Sequence, residues 1–486
     1  MRLTKSDILS LPGVRITFIE QFPKKGIRGI STDSRGVREG DLFVAIRGAH
    51  HDGHDFVAQA KAAGAAAAMV DSRWASLHEQ EKEFQQFPLI VVNDTVLNLG
   101  NLAAIYRAKF NIPIIAITGS SGKTTVKDLV AAVLAKKFNV LKTEGNLNNF
   151  IGLPLTLFRL DSSHDVAVLE LGTNHFGEIA RLTEIANPTH GLVTNVGSAH
   201  LEFFKSLEGV ANAKGELFET MSDHGTAFLN ADDSYVRAFA PSFSKRILYG
   251  LKARNADVRG KILEFRDDGT TRIRILNRNT RGAMEISLQL VGEHNAMNAL
   301  AAAAVGFAFK VHPAKIRHAL ESFSPLDDKT SGVRPGRMEI LRISGVTIIN
   351  DSYNANPDSV RAALRTLAAM KSSGKKIVVL GDMLELGEAS EYEHAKLGVE
   401  IANLGFEYVL TFGQQMRFAS EASKAIYAFH YDESAKGVLA EYLTELTHPG
   451  DIVLVKGSRG MKMEDVVAFL VERLRARSSR RTNEVQ

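Results

Sequence analysis

The stretch IIAITGSSGKTTVKDLV, residues 114–130, decides the fold. Ile114, Ile115 and Ile117 make a β-branched apolar strand, and Val126, Leu129, Val130, Val133, Leu134 and Phe138 then recur at helical spacing. Between them lies a loop with Gly119, Ser120, Ser121 and Gly122. Strand, glycine loop and helix in that order converge backbone N–H groups and a helix N-terminus on one anion. The usual phosphate loop places four residues between its first glycine and Gly-Lys-Ser/Thr; here only Ser120 and Ser121 intervene. The short loop still meets the chemical demand. Glycine lets the backbone approach closely, Lys123 brings a point charge to the β/γ-phosphates, and Thr124 brings a hydroxyl to Mg²⁺. A helix N-terminus alone contributes about 0.3–2 kcal/mol, so Lys123 and the metal must carry much of the binding. The competing reading is an ordinary turn with an exposed lysine.

Working outward, apolar strands alternate with helices: PIIAIT from 113, HDVAVLEL from 164, HGLVTNV from 190 and TAFLN from 226. That alternation predicts a parallel sheet with helical crossovers. The polar alternating stretch 260–290 predicts antiparallel hairpins, and the alanine-rich stretch from Ala299 a buried helix. A helix near Leu99 to Phe110 leads into this region from short strands and turns before it. Residues 324–337 are turn-rich and read as a linker; VTIIND, KKIVVLGD, YVLTFG and DIVLVKG then alternate again, as a smaller Rossmann-like sheet. The residues after 474, RARSSRRTNEVQ, read as a basic unordered tail. The expected domains are 1–98, 99–326 and 327–486, all α/β.

Composition narrows the function classes. A chain of 486 residues, 45% hydrophobic and 23% charged, suits several soluble domains. A net charge of +4 makes no case for nucleic acid. With no cysteine, disulfides, thiolate metal sites and cysteine nucleophiles are excluded, which fits a reducing cytoplasm. The N-terminus lacks the apolar core of a signal peptide, and no apolar run is long enough for a membrane span.

A phosphate site needs oxygen ligands for Mg²⁺, and an open α/β sheet presents its crevice at the carboxyl ends of its strands. Glu170 ends one such strand and His200 follows another. Alone, the glutamate suits a cap or ion pair, and the histidine a structural role. Their place after successive strands of the same sheet shifts both toward function.

These residues carry a resemblance. In order, STDSR, GDLFVAIRG, DGHDF, TGSSGKTT, GNLNNFIGLPLTL, ELGTNHFGEI, AHLEFF, AKGELF, GEHNAMNALAA, NDSYNANPDS, LGDMLELG and VKGSRGMKME resemble the Mur ligase family of peptidoglycan synthesis over nearly the whole chain. The short Gly-x-x-Gly-Lys-Thr loop is that family's form. The resemblance implies an N-terminal UDP-binding domain, a central phosphate-loop ATPase domain with a mostly parallel sheet, and a C-terminal Rossmann-like domain. It implies that ATP phosphorylates the terminal carboxylate of a UDP-N-acetylmuramoyl-tripeptide, and that D-alanyl-D-alanine attacks the acyl phosphate. The expected location is the cytoplasm and the expected state a monomer, though no feature of the sequence speaks to oligomeric state.

By the same resemblance, Gly119 to Thr125 (Ser120, Ser121, Gly122, Lys123, Thr124) bind ATP. Thr124 and Glu170 hold the nucleotide-side Mg²⁺, and His200 belongs to a second Mg²⁺ site. Lys214 matches a carbamylated lysine; a carbamate, unlike an ammonium, is an anionic oxygen ligand. Asn295 and Asn298 match adenine contacts, and an amide helix cap is compatible with that. Arg337 and Asp351 match nucleotide contacts from the third domain. Tyr353, Asn354 and Asn356 are candidates for holding the dipeptide, or an Asx-type loop capping the next helix. Lys456, Ser458 and Arg459 offer carboxylate recognition. Asn146, Asn148 and Asn149 suit the muramoyl peptide, and Ser31, Asp33, Ser34 and Arg35 the UDP pocket. With the parts split between domains, closure is expected to be needed.

The chain departs from the family at Lys205, where glycine is common, in a longer linker before Arg337, and in the extra stretch WASLHEQEKEFQQ from Trp74. Sister ligases that add lysine or diaminopimelate carry Asp-Asn-Pro-Arg, absent here. A folylpolyglutamate synthetase would lack the STDSR domain. A GTPase switch would need Asn-Lys-x-Asp, also absent, and a non-catalytic scaffold would have lost Lys123, Glu170 or His200.

Overall fold

A computed structural model describes residues 1–239, 243, 245–266, 269–279, 282–324 and 333–483, with side chains to 477. Most of the expected linker, at 325–332, and the hairpin positions 267, 268, 280 and 281 lie outside these residues. Three sheets organise the described chain.

The central sheet has nine strands, in spatial order Ala283–Leu288, Thr271–Asn277, Val258–Phe265, Lys245–Gly250, Thr226–Asn230, His190–Val193, Ile114–Thr118, Val166–Glu170 and Val140–Lys142. Ile114–Thr118 is fully buried and pairs in parallel with Val166–Glu170 and His190–Val193. Helices cover both of its faces, so apolar β-branched residues fill it without alternation. The antiparallel hairpins form as expected. They extend this same sheet, joined through the pairs Tyr249↔Val258 and Gly250↔Arg259.

The loop after Thr118 turns on Gly119 at φ +139 and Gly122 at φ +80 into the helix Lys123–Leu134, whose apolar positions are buried as the spacing requires. The alanine-rich helix Glu293–Ala308 packs against it in one core.

The N-terminal sheet has five strands, parallel except for the edge pair Arg15–Ile16 with Leu89–Val92. The extra stretch from Trp74 closes over it: Trp74 stacks on His78 and packs edge-on to Phe84. The helix expected from Leu99 starts earlier, at Thr95, because the Asp94 carboxylate accepts the Leu97 N–H and caps it. It ends at Arg107, whose guanidinium donates to the carbonyls of Ala186, Phe110 and Asn187. One apolar cluster runs from Leu3 and Leu42 through Leu99 and Leu102 to Ile114, Leu169 and Leu217. The N-terminal and central sheets therefore share a core.

The C-terminal sheet has six strands, in the order Glu339–Ile343, Val346–Asp351, Ile452–Lys456, Lys376–Gly381, Tyr408–Phe412 and Tyr427–Tyr431, with a core on each face, one of which takes in Val291 and Leu201 of the central domain. The expected unordered tail is corrected: the last helix, Glu464–Asn483, runs through most of it, and only 484–486 fall outside the description. Buried Val466, Val467, Leu470, Val471 and Leu474 anchor the helix, and Arg and Ala extend it once begun. Among the described residues no helix is long and apolar enough to cross a membrane.

Candidate active site

A cavity of about 1100 Å³ opens between the carboxyl ends of the central and C-terminal sheets. Ser120 to Thr125 line it, with Asn146, Asn148, Asn149, Glu170, His200, Asn295 and Asn298 from the central domain. Arg337, Asp351, Tyr353, Asn354, Asn356, Lys456, Ser458 and Arg459 line it from the other side. Residues more than 300 positions apart thus meet in one cleft.

The phosphate loop is held from behind by residues the sequence reading did not single out. The Ser121 carbonyl accepts the Thr194 hydroxyl at 2.6 Å and the Asn195 amide at 3.1 Å, and Ser121 N–H donates to Asn195 Oδ1 at 3.0 Å. Gly119 cannot be enlarged, since an added Cβ would fall 2.0 Å from Thr194 Oγ1. Lys123 Nζ donates to the Gly119 carbonyl at 2.6 Å. Burial lowers its pKa; Glu170 opposes that shift and Arg337 adds to it.

Glu170 is buried at the end of its strand. Oε1 accepts from Asn148 Nδ2 at 2.9 Å, while buried Oε2 has no hydrogen-bond partner. A buried carboxylate oxygen without a partner is costly, so the atom suits a cation. With the Thr124 hydroxyl in the same cavity, the donor set fits Mg²⁺, which keeps water and phosphate oxygens and asks few ligands of the protein. Among the described residues no three His, Asp or Glu side chains converge as a complete metal cluster.

Lys214 lies behind the wall rather than on it. Its side chain is fully buried, Nζ has no partner, and it sits 5.8 Å from the Phe204 ring below His200. Burial, joined by the charge of Lys123, lowers its pKa far below 10.5, against Glu178 and Glu216. Burial thus favours the neutral amine, the form from which a carbamate is made.

Asn295 and Asn298 are buried in the first turns of their helix, and the amide-cap reading is corrected. The cap is Gly292; Asn295 Nδ2 donates back to the Val291 carbonyl at 2.9 Å, and Asn298 Nδ2 to Asn295 Oδ1 at 3.1 Å. Asn298 Oδ1 stands 2.6 Å from where a Cβ on Gly122 would be, so the helix meets the loop directly. His294 beside them is pushed down to about 4 by burial.

On the C-terminal side, Asn356 takes the capping role and also reaches the phosphate loop. It caps the helix Pro357–Ala369 with Ser359, and its Nδ2 donates to Ser121 Oγ at 3.2 Å. The Arg337 guanidinium carbon lies over the Tyr353 ring, 3.7 Å from its centroid. Lys456 and Asp351, expected to meet different ligands, bind each other at 2.6 Å, and Lys456 also donates to the Asn354 carbonyl at 2.8 Å. Ser458 Oγ accepts Leu384 N–H at 2.8 Å, whereas Arg459, paired with Glu464, is half exposed. Two carboxylates were also missed: Asp358 accepts Ser198 N–H, and Glu385 lies 2.5 Å from His200 Nδ1. The His200 ring beside it lowers the Glu385 pKa, against burial. Ser31, Asp33, Ser34 and Arg35 do not line this cavity. Asp33 caps a short turn and pairs with Arg35, and Ser34 bonds Gln59.

Comparison with known proteins defines the class. Three family models match in chain order: "Mur ligase family, catalytic domain" over 26–107, "Mur ligase middle domain" over 117–306, and "Mur ligase, glutamate ligase domain" over 336–459. The chain belongs to the Mur ligase family. Within it, the chain is similar to UDP-N-acetylmuramoyl-tripeptide–D-alanyl-D-alanine ligase of Bacillus subtilis, 35% identical over 93% of this chain and 95% of that one. The enzyme of that name from Escherichia coli is 37% identical over 91% and 93%. A crystal structure of MurF from Acinetobacter baumannii superposes with a TM-score of 0.85 at 31% identity, covering 97% of this chain and 99% of that chain. MurF from Thermotoga maritima in complex with ADP gives 0.80 at 28% identity, over 93% and 98%.

Proposed function

We infer that this chain is an ATP-dependent, ADP-forming ligase that joins D-alanyl-D-alanine to UDP-N-acetylmuramoyl-tripeptide. The observation that carries the reading is one cleft lined by the phosphate loop, an unpartnered buried Glu170 oxygen and a C-terminal polar wall, in a chain alike end to end to ligases of that name.

A carboxylate is a poor electrophile until a phosphate turns one oxygen into a leaving group. The tripeptide carboxylate attacks the γ-phosphorus and ADP leaves; the dipeptide amine then attacks the acyl carbon, phosphate leaves, and the amine loses its proton. Two anions must meet in the first step, so cations have to be fixed beside them. Lys123, at the mouth of the loop, screens that approach. The loop N–H groups and Asn298 set the nucleotide, and Arg337, lying over the Tyr353 ring, faces it from the other domain. Mg²⁺ held by Thr124 and Glu170 would supply further charge neutralisation; a carbamate on Lys214 would add an anionic ligand near His200. Asn146, Asn148 and Asn149 suit the peptide arm, and Arg459, with charge still exposed, suits the dipeptide carboxylate better than Lys456. The domain roles are 1–98 for the uridine nucleotide, 99–326 for ATP and 327–486 for the incoming amine, in a cytoplasmic monomer.

The test is phosphate release with UDP-muramoyl-tripeptide, with D-alanyl-D-alanine supplied or withheld. Release that requires the dipeptide and yields the pentapeptide mass supports the reading. Release with lysine or diaminopimelate as the only amine would refute it.

A further inference from the structure

The C-terminal domain grips residues 197–202 of the central domain on both sides of His200. Ser198 N–H donates to Asp358 Oδ2 at 2.6 Å, and Glu202 N–H donates to the Glu385 carbonyl at 3.1 Å. Between these bonds, His200 Nδ1 lies 2.5 Å from Glu385 Oε2, a close contact still short of hydrogen-bond alignment. Within its own domain, the His200 ring packs edge-on to Phe204, and its loop is tied back by Gly197 N–H to Ser120 Oγ at 2.9 Å and Val196 N–H to Asp233 Oδ2 at 2.8 Å.

Both members of the contact have left-handed backbone, His200 at φ +54 and Glu385 at φ +62. Residues with a Cβ avoid that region unless their surroundings over-determine it. The surroundings of Glu385 do. Met383 N–H donates to buried His394 Nε2 at 3.0 Å, and Leu384 N–H donates to Ser458 Oγ at 2.8 Å. The carboxylate is thus presented on a braced loop toward the ring of His200.

We propose that Glu385 is a positioning residue for the ligation: when the C-terminal domain docks, its carboxylate takes His200 Nδ1 and leaves Nε2 as the ring nitrogen aimed at the reacting groups. Asp358 fixes the other end of the same loop. His200 then has its working orientation only with the C-terminal domain in place, which ties the chemistry to closure. The proposal rests on the ligase reading above. Neither carboxylate stood out in the sequence, since each acts across the domain gap.

The test uses the full-length chain, ¹⁵N-labelled at histidine, with ADP and the pentapeptide product bound. The His200 signal, assigned with His200→Gln, is expected to show protonated Nδ1 at pH 8 and to move to the Nε2–H form in Glu385→Ala. Alanine keeps a Cβ at the same backbone position, so strain is held constant. In turnover, Glu385→Ala should lose about 10–100-fold in kcat, as partners of a working histidine do, with KM for ATP within about threefold. Glu385→Gln, which keeps an acceptor oxygen, should lose less. In a His200→Ala background, Glu385→Ala should cost no more than about twofold further, because residues acting as a unit are not additive. An unchanged His200 spectrum in Glu385→Ala, or full additivity with His200→Ala, would overturn the proposal. Failure of the wild-type chain to ligate would overturn the function instead, since the spectrum reads Glu385 without turnover.

Discussion

Lys214→Met should make the protein more stable and far less active. Lys214 is fully buried with no partner for Nζ, and its pKa is lowered far below 10.5. Burial therefore favours the neutral amine in the fold over the ammonium of the unfolded chain, so folding releases a proton at pH values between the two pKa values. The unfolded state binds more protons, and stability must rise with pH between the lowered folded pKa and 10.5. The slope is about 1.4 kcal/mol per pH unit. Methionine removes that slope. It also removes an unsatisfied buried donor, worth about 1–3 kcal/mol, while filling much of the same space. The variant should lie above wild type at neutral pH, and the gap should close as pH rises. The measurement is denaturant unfolding at several pH values in CO₂-free buffer, so that the amine and not a carbamate is compared. Fluorescence of Trp74, the one tryptophan, is the probe. Turnover should fall at least ~10²-fold, the scale of losing one transition-state partner. Parallel pH curves, or a variant less stable than wild type, would refute the reasoning.

Three further outcomes are expected. Lys123→Ala should lower turnover ~10²–10³-fold in the phosphate-release assay; near-normal turnover would remove Lys123 from the nucleotide site. Lys456→Met should destabilise by about 3–5 kcal/mol by stranding buried Asp351, and Asp351→Asn added to it should recover part of the loss in an unfolding titration. Lys205 sits at φ +65, where a Cβ costs about 1–2 kcal/mol. After the entropy of glycine, about 0.5–1 kcal/mol, Lys205→Gly should stabilise by roughly 0.5–1 kcal/mol, seen as a higher denaturation midpoint.

What the sequence made legible is what short-range pattern encodes. The strand-loop-helix around Lys123, the parallel alternation, the hairpins and Glu170 at a strand end are each set by neighbours within about ten residues. The departure at Lys205 was legible too: glycine's usual place there turned out to need a positive φ. What stayed hidden depends on distant partners. Lys456 and Asp351 are 105 residues apart and their pairing is made by adjacent parallel strands. Asp358 and Glu385 become meaningful only once a second domain lies against His200. Asn295 looked like a cap because amides favour that place, yet Gly292 took it and the amide bonded backward. The tail looked unordered by composition, but a buried face upstream propagates its helix.

The continuous apolar cluster between the N-terminal and central sheets means that the chain is mechanically two bodies rather than three. Heat should melt the first two domains in one calorimetric event and the C-terminal domain in another. A cut at residue 98 would fall inside the helix Thr95–Arg107 and bare an oily surface on each fragment. A chain begun at Val333 would keep one core of its sheet whole and lose Val291 and Leu201 from the other. On the domain roles proposed above, the part free to move would be the one that brings the amine, while a single frame would hold both ends of the nucleotide-sugar acid.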